Sequence, residues 1–421
     1  MRQLVKWLFR SEFVHFNKLS KTSKKLFNSI FLHNIVAPIF ALFITAFIWR
    51  QSHDVFLVAL YNAVLFTAIP ISFYINGHLL KKFYPSQLLF AGVCLKSLGV
   101  FGLMLLPTIN AFTVITAATF IGLSAGIYWS NRNLLVLKAT HSPTRIYFTS
   151  LDVISGTILG IIIPIMIGIF IIYGTTAHTY TPIQAYYLVG ILTVLVSYWS
   201  GYSIRNLSVG LPYNSHVHLN KPSKKWIHSR YTIIIFGLLN GVMAFLPPLI
   251  ILAFIGKEDA LGTIQSLSAI ITAIVIYGIA RSISPKHRMK LLGASVVLSI
   301  IGSIFLLLSS SIGVILFVGM QALAQPLLWV AYNSLISDVM DTENGTANKE
   351  YSYMFDFELF MNIGRVTGIL LFMYYLTSFS TQFALHYTPL FFCTAQLLLL
   401  WIARPIDRKQ KVELVPLPQS A

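Results

Sequence analysis

Trp129-Ser130-Asn131-Arg132-Asn133-Leu134-Leu135 and Trp329-Val330-Ala331-Tyr332-Asn333-Ser334-Leu335 carry tryptophan, asparagine and leucine in one register, 200 residues apart. Each heptad closes an apolar run long enough to cross a bilayer. Two further correspondences fall near the same offset. Lys81 and Pro85 follow one apolar run as Arg281 and Pro285 follow another, and Gly156-Thr157-Ile158-Leu159-Gly160 matches Gly364-Arg365-Val366-Thr367-Gly368 at an offset of 208. One such match is weak in the small alphabet of membrane sequences. Three at nearly one offset, each in the corresponding run, indicate a tandem repeat.

Outward from the heptads, apolar runs recur from about residue 30 to residue 403. Of the 421 residues, 56% are hydrophobic and 10% charged, against about 25% charged in soluble domains. A soluble chain this apolar could not cover its surface with polar groups. The runs read as twelve transmembrane helices: 29–49, 54–77, 85–106, 110–131, 149–174 and 182–203, then 231–255, 260–280, 289–309, 312–337, 352–376 and 384–403. The expected organisation is an all-α polytopic membrane protein of two six-helix pseudo-repeats. A basic segment 1–28 precedes the bundle 29–203, a linker 204–230 leads to the bundle 231–403, and 404–421 is a tail.

Charge placement sets the orientation. The N-terminal segment, the even-numbered loops and the C-terminal tail hold 26 of the 30 Lys and Arg, and the odd-numbered loops hold Arg50 and Lys257. By the positive-inside rule both termini are cytoplasmic, in the inner or plasma membrane of the cell. The net charge of +17 is thus a topological signal and calls for no nucleic acid. Arg2, Lys6 and Arg10, with Leu4, Trp7 and Leu8 between them, have the spacing of a basic amphipathic helix on a membrane face or of a solvated tail. Cys94 and Cys393 both lie within runs, which argues against a disulfide or metal role.

At this point the sequence resembles the major facilitator superfamily over nearly its whole length. The most specific local feature is Gly77-His78-Leu79-Leu80-Lys81-Lys82-Phe83 after the second run, similar to that superfamily's glycine-and-basic loop. Lys81 stands where an acidic residue is usual, and the counterpart Gly278-Ile279-Ala280-Arg281 is also degenerate. The resemblance implies alternating access by a monomer, with the halves rocking about a midplane site. Helices one, two, four, five, seven, eight, ten and eleven would line the cavity, and three, six, nine and twelve would sit outside.

Charges within such helices are costly and hence candidates for function. Run eleven is the richest, with Asp356, Glu358 and Arg365. Glu358, Asn362 and Arg365 share one helical face, whereas Asp356 points nearly opposite. A rise of about 1.5 Å per residue separates Glu358 from Arg365 by about 10 Å, so no direct pair is expected between them. The functional reading makes Glu358 the proton carrier and Arg365 the holder of an anionic solute group. The plain reading leaves Glu358 at the interface and Arg365 in helix packing. Arg132 and Asp152 read either as a conformational latch or as a solvent-accessible interfacial pair of little energy. Lys96, in run three, either snorkels or faces a polar gap and is given no role.

Further polar and aromatic residues fill out the candidate cavity. They are Asn34, Tyr61, Asn62, Tyr128, Trp129 and Asn133 in the first half, and Asn240, Gln265, Gln325, Trp329 and Asn333 in the second. Such a lining suits a small organic ligand, although membrane interfaces and structural hydrogen bonds between halves also use these residue types. No Walker loop, CxxC pair, HExxH or GxSxG occurs, so an enzyme is not expected. His216 and His218 are a weak metal pair, and no cofactor is expected. The function read from the sequence is a secondary active transporter of a small organic solute, coupled to protons, with a lean towards export. The alternative is a non-transporting relative, serving as an assembly factor, sensor or lipid-handling module, motivated by the degenerate loop.

Overall fold

The computed structural model describes residues 19–140, 142–207, 222–256, 258–280, 288–344 and 350–413, with Phe16, Val217 and Leu219. The amphipathic stretch at Arg2–Arg10, the His216/His218 pair and the Arg281/Pro285 match lie outside the described residues. Among the described residues twelve helices follow one another: α1 Lys21–Ser52, α2 Val55–Leu79, α3 Pro85–Met104, α4 Ala111–Ala139, α5 Ser142–Thr176 and α6 Pro182–Tyr202, then α7 Lys224–Ile255, α8 Glu258–Ala280, α9 Arg288–Leu306, α10 Ser311–Asn344, α11 Glu350–Ser378 and α12 Thr381–Glu413. Eleven are long and apolar enough to cross a membrane, and α8 contributes the shorter apolar stretch Ala260–Ile274. The chain is an all-helical, multi-pass membrane protein.

α1 and α7 start earlier than their apolar runs, at serines that accept a backbone N–H: Ser20 from Ser23 and Ser223 from Trp226, each at 3.0 Å. Apolarity marks the depth a bilayer would cover, while the cap marks where the helix begins. Both helices are also irregular in their second half. Pro38 has no N–H to give, and the turn Ile39–Phe43 after it is π-helical. In α7 the helix stops at Met243 and restarts at Leu246, with Pro247-Pro248 in the new first turn.

Within the first six helices, α1 packs on α5 and α6, α2 on α4, and α3 on α4 and α6. Within the last six, α7 packs on α11 and α12, α8 on α10, and α9 on α10 and α12. Every pairing thus has its counterpart six helices later. Contact between the two sets runs along α2–α11 and α5–α8, and the second segments of α1 and α7 touch. Tyr351 donates to the Phe73 carbonyl at 2.7 Å and accepts from Asn76 at 3.2 Å, tying α11 to α2. Ser266 donates to the Ile161 carbonyl at 2.7 Å, tying α8 to α5.

The glycine match between runs five and eleven does not carry equivalent packing. Gly364 and Gly368 face the α7 backbone at Ile234 and Leu238, and Gly241 faces the Arg365 backbone in return. That is the close approach small residues permit between membrane helices. Gly160 has open space around it, and Gly156 only Asn34 nearby.

Candidate functional site

Two clusters of charged and amide side chains sit inside the bundle. In the first, Arg365 of α11 donates through Nη1 to Glu358 Oε1 and Asn362 Oδ1, both at 3.2 Å. Its Nε donates to Asn240 Oδ1 of α7 at 2.8 Å, and its guanidinium carbon lies 4.9 Å from the centre of the Phe66 ring of α2. Asn362 donates to Glu358 Oε1 at 3.0 Å and to the Glu358 carbonyl at 2.7 Å. The Arg365 and Glu358 side chains are only 15% and 20% exposed. Arg365 therefore joins α11, α7 and α2, across the seam between the two sets of helices.

The direct ion pair corrects the expectation that these two residues are too far apart. The rise along the helix is as expected. Helical side chains, however, lean towards the N-terminus, so the long Arg365 side chain reaches back along the face it shares with Glu358, and Asn362 fills the gap.

In the second cluster, Arg132 of α4 pairs with Asp152 of α5 through Nη2 and Oδ2. Asn34 of α1 donates to Asp152 Oδ1 at 3.1 Å and to Ser155 Oγ at 3.0 Å. The Arg132 guanidinium lies 5.0 Å from the Trp129 ring centre and donates to Asn133 Oδ1 at 3.4 Å. With side chains 16% and 18% exposed, this pair is more enclosed than the solvent-accessible interfacial reading allowed. A neighbouring amide and an indole face supply what water would supply at a surface.

Other residues singled out in the sequence do not join these clusters. Tyr61 is buried in the apolar core. Trp329 packs on Phe236, with ring centres 5.8 Å apart, and Asn333 is exposed on the bundle. Trp129 and Trp329 are alike in exposure, at 39% and 40%, but only Trp129 meets a charged group. Lys96 does not snorkel: it is buried and points between α1 and α4.

The pairings of two charge groups escaped the sequence reading. Asp356 takes a two-point contact from Arg230, at 2.8 and 2.6 Å, and the Trp226 indole N–H at 2.6 Å. Both partners belong to the extra turns of α7, and the Ser223 cap was the signal that would have placed them on a helix. The buried Arg288 of α9 pairs with Asp338 of α10 and Asp407 of α12. Asp338 and Asp407 lie just beyond the apolar runs 312–337 and 384–403, on helix that continues past them. Among the described residues, no group of His, Cys, Asp and Glu could hold a metal ion.

Over 337 residues, 79% of this chain and 77% of the relative, the sequence is 30% identical to the uncharacterized protein YqgE of Bacillus subtilis (strain 168). The chain belongs to the YqgE family. An uncharacterized protein in the sodM 3' region of Geobacillus stearothermophilus is 28% identical over 141 residues, 33% of this chain and 65% of that one. No family model matches. The structure superposes on one solved in a study of substrate recognition in proton dependent oligopeptide transporters, with a TM-score of 0.65 and 12% identity, covering 96% of this chain and 100% of the other. At that identity the likeness is one of fold: this YqgE-family chain has the fold of a major facilitator-type transporter.

Proposed function

We propose that the chain is a proton-coupled secondary transporter of the cell membrane, moving a small organic solute with an anionic group by alternating access. The observation that carries this reading is the placement of Arg365, held by Glu358 and Asn240 and resting on Phe66. A buried guanidinium keeps a counter-charge. While Glu358 is ionised, it is that counter-charge. A proton on Glu358 removes it, and a solute carboxylate or phosphate can then take its place. Loss of the proton restores the internal pair and expels the anion. Proton and solute therefore bind together, which is what coupling requires.

Two six-helix halves, 29–203 and 231–403 joined by 204–230, are the moving bodies in this reading. The six-helix recurrence of pairings supports them, and the basic even-numbered loops support cytoplasmic termini. The site needs residues of one chain only, in keeping with a working monomer. Because proton and solute bind together in this scheme, an inward proton gradient drives uptake, so the export read from the sequence gives way here to symport.

A thermal-stability screen of the detergent-purified protein against small metabolites and drugs at two pH values tests the reading. A ligand of the folded state raises Tm by mass action. An anionic hit that binds better at the lower pH and is lost in Arg365→Ala is the expected result. Pairing that hit with proteoliposomes must then give solute flux driven by a pH gradient. No anionic hit, or no flux with folded protein, overturns the proposal in favour of a non-transporting relative.

A further inference from the structure

A second group of ionisable side chains lies among α1, α3 and α4, apart from the Glu358–Arg365 pair. Lys96 is 8% exposed, His33 2% and Tyr128 1%. The Lys96 ammonium lies 3.9 Å from the centre of the Phe40 ring and 5.8 Å from that of Tyr128. Among the described residues it forms no ion pair. The His33 ring stacks on Tyr128 at 4.0 Å, and its Nδ1 is buried with no hydrogen-bond partner. The Phe40 ring beneath Lys96 also lies 5.8 Å from the His33 ring. The π-helical turn after Pro38 contains Phe40, the ring that Lys96 touches.

These facts fit poorly with a purely structural role. Ring faces attract a cation, but they do not replace a carboxylate, and a buried polar nitrogen without a partner is a cost that native proteins seldom keep. A cluster with two fixed or potential cations, one imidazole and a single nearby carboxylate has room for one fewer positive charge. With every member almost fully enclosed, an organic ligand has no access, whereas a proton does.

We propose that His33 and Lys96 form an enclosed proton-binding site, separate from Glu358, whose occupancy sets the Arg132–Asp152 contact. The route is short on both sides. Asn34, the residue after His33, holds Asp152, and Tyr128, under the His33 ring, lies one turn before Arg132 on α4. The ionisable groups facing the site are Tyr128 and Arg132 from α4, with Asp152 of α5 behind Arg132. From α6, Tyr186 and Tyr198 instead meet Phe47 and Phe90 edge-on. The proposal goes beyond the solute-transport reading and does not depend on it.

Trp129 supplies the reporter, because its indole lies edge-on to His33 at 6.4 Å and a protonated imidazole quenches indole emission. The experiment titrates the fluorescence of the detergent-purified full chain with pH and subtracts the same titration of Trp129→Phe. The expected result is a single step within the pH range over which the protein stays folded, from one protonation at His33. That step is absent from His33→Phe and displaced by at least about one pH unit in Lys96→Met, since removing a neighbouring charge moves a titration. It persists in Glu358→Gln, which separates this site from the transport site. His33→Gln and Lys96→Gln serve the same comparisons should the first variants not give folded protein. No step in the wild type, a step that survives loss of His33, or a midpoint unmoved by every Lys96 variant overturns the proposal.

Discussion

Asn34 and Asn240 stand 206 positions apart on the first helix of each set, and each binds one member of an arginine–carboxylate pair. Asn34 donates to Asp152, and Asn240 accepts from Arg365. The carboxylates, Asp152 and Glu358, are themselves 206 positions apart, on the fifth helix of each set. The arginines break the correspondence: Arg132 comes from the fourth helix and Arg365 from the fifth. The Arg132–Asp152 pair therefore spans two helices, and the Arg365–Glu358 pair lies along one.

That difference yields a prediction for the Arg365–Glu358 pair. Removing one partner of an enclosed pair costs about 3–5 kcal/mol, reduced here by the residual exposure of both side chains. Arg365→Met and Glu358→Gln should each lower Tm clearly, whereas Arg365→Met with Glu358→Met should recover most of the loss. Thermal denaturation of the four proteins checks this. A double variant that loses the sum of the two single losses would show that the two residues do not act as a pair.

The glycines of the α7–α11 seam give a sharper structural test. A Cβ at position 241 would stand 2.5 Å from the Arg365 carbonyl oxygen, while one at Gly160 or Gly293 would meet nothing within 4 Å. Gly241→Ala should cost about 1–3 kcal/mol by overpacking and displace Arg365. Gly160→Ala and Gly293→Ala should be neutral or slightly stabilising. Denaturant or thermal melts of the three variants make the comparison.

The Tyr351 hydroxyl, shared between Phe73 and Asn76, bridges the α2–α11 seam. Tyr351→Phe removes about 1 kcal/mol of net hydrogen bonding, shifting any opening of that seam by about five-fold. Spin labels on the even-loop ends of α2 and α11 should show a larger separated population in the variant. An unchanged distance distribution would mean that the seam does not open there.

Asp356 has a different role. Its three contacts come from Trp226 and Arg230, in the first turns of α7. Asp356→Asn should destabilise by about 3 kcal/mol, because Arg230 loses its counter-charge. The loss should leave the binding preference at Arg365 unchanged. A Tm loss with an unaltered ligand profile is the expected outcome, and a changed profile would place Asp356 in the solute path.

The helices were legible in the sequence because hydrophobic runs report membrane crossing directly. Their ends were less so, since Lys21–Ser29 and Lys224–Arg230 are helical without being apolar. The face shared by Glu358, Asn362 and Arg365 followed from spacing alone. Their direct contact did not, because it depends on the direction in which a long side chain leans. Asn240 could be suspected from its depth, but its partner could not, since the α7–α11 approach rests on Gly237, Gly241, Gly364 and Gly368 acting together. The choice between the two readings of Lys96 was open for a similar reason. A helix assigned to the outside of the bundle still has an inner face, and a single sequence does not say which residue is on it.

The interruption of α7 has a consequence for the chemistry of its wall. Pro247 and Pro248 have no N–H, so the carbonyls of Met243 and Ala244, four residues earlier, lose their helical donors. Those oxygens lie about one turn beyond Asn240. Main-chain acceptors at this depth seek water, a hydroxyl or an ammonium. Part of the polarity along this stretch of α7 thus belongs to the backbone, and replacing side chains one by one would leave that part in place.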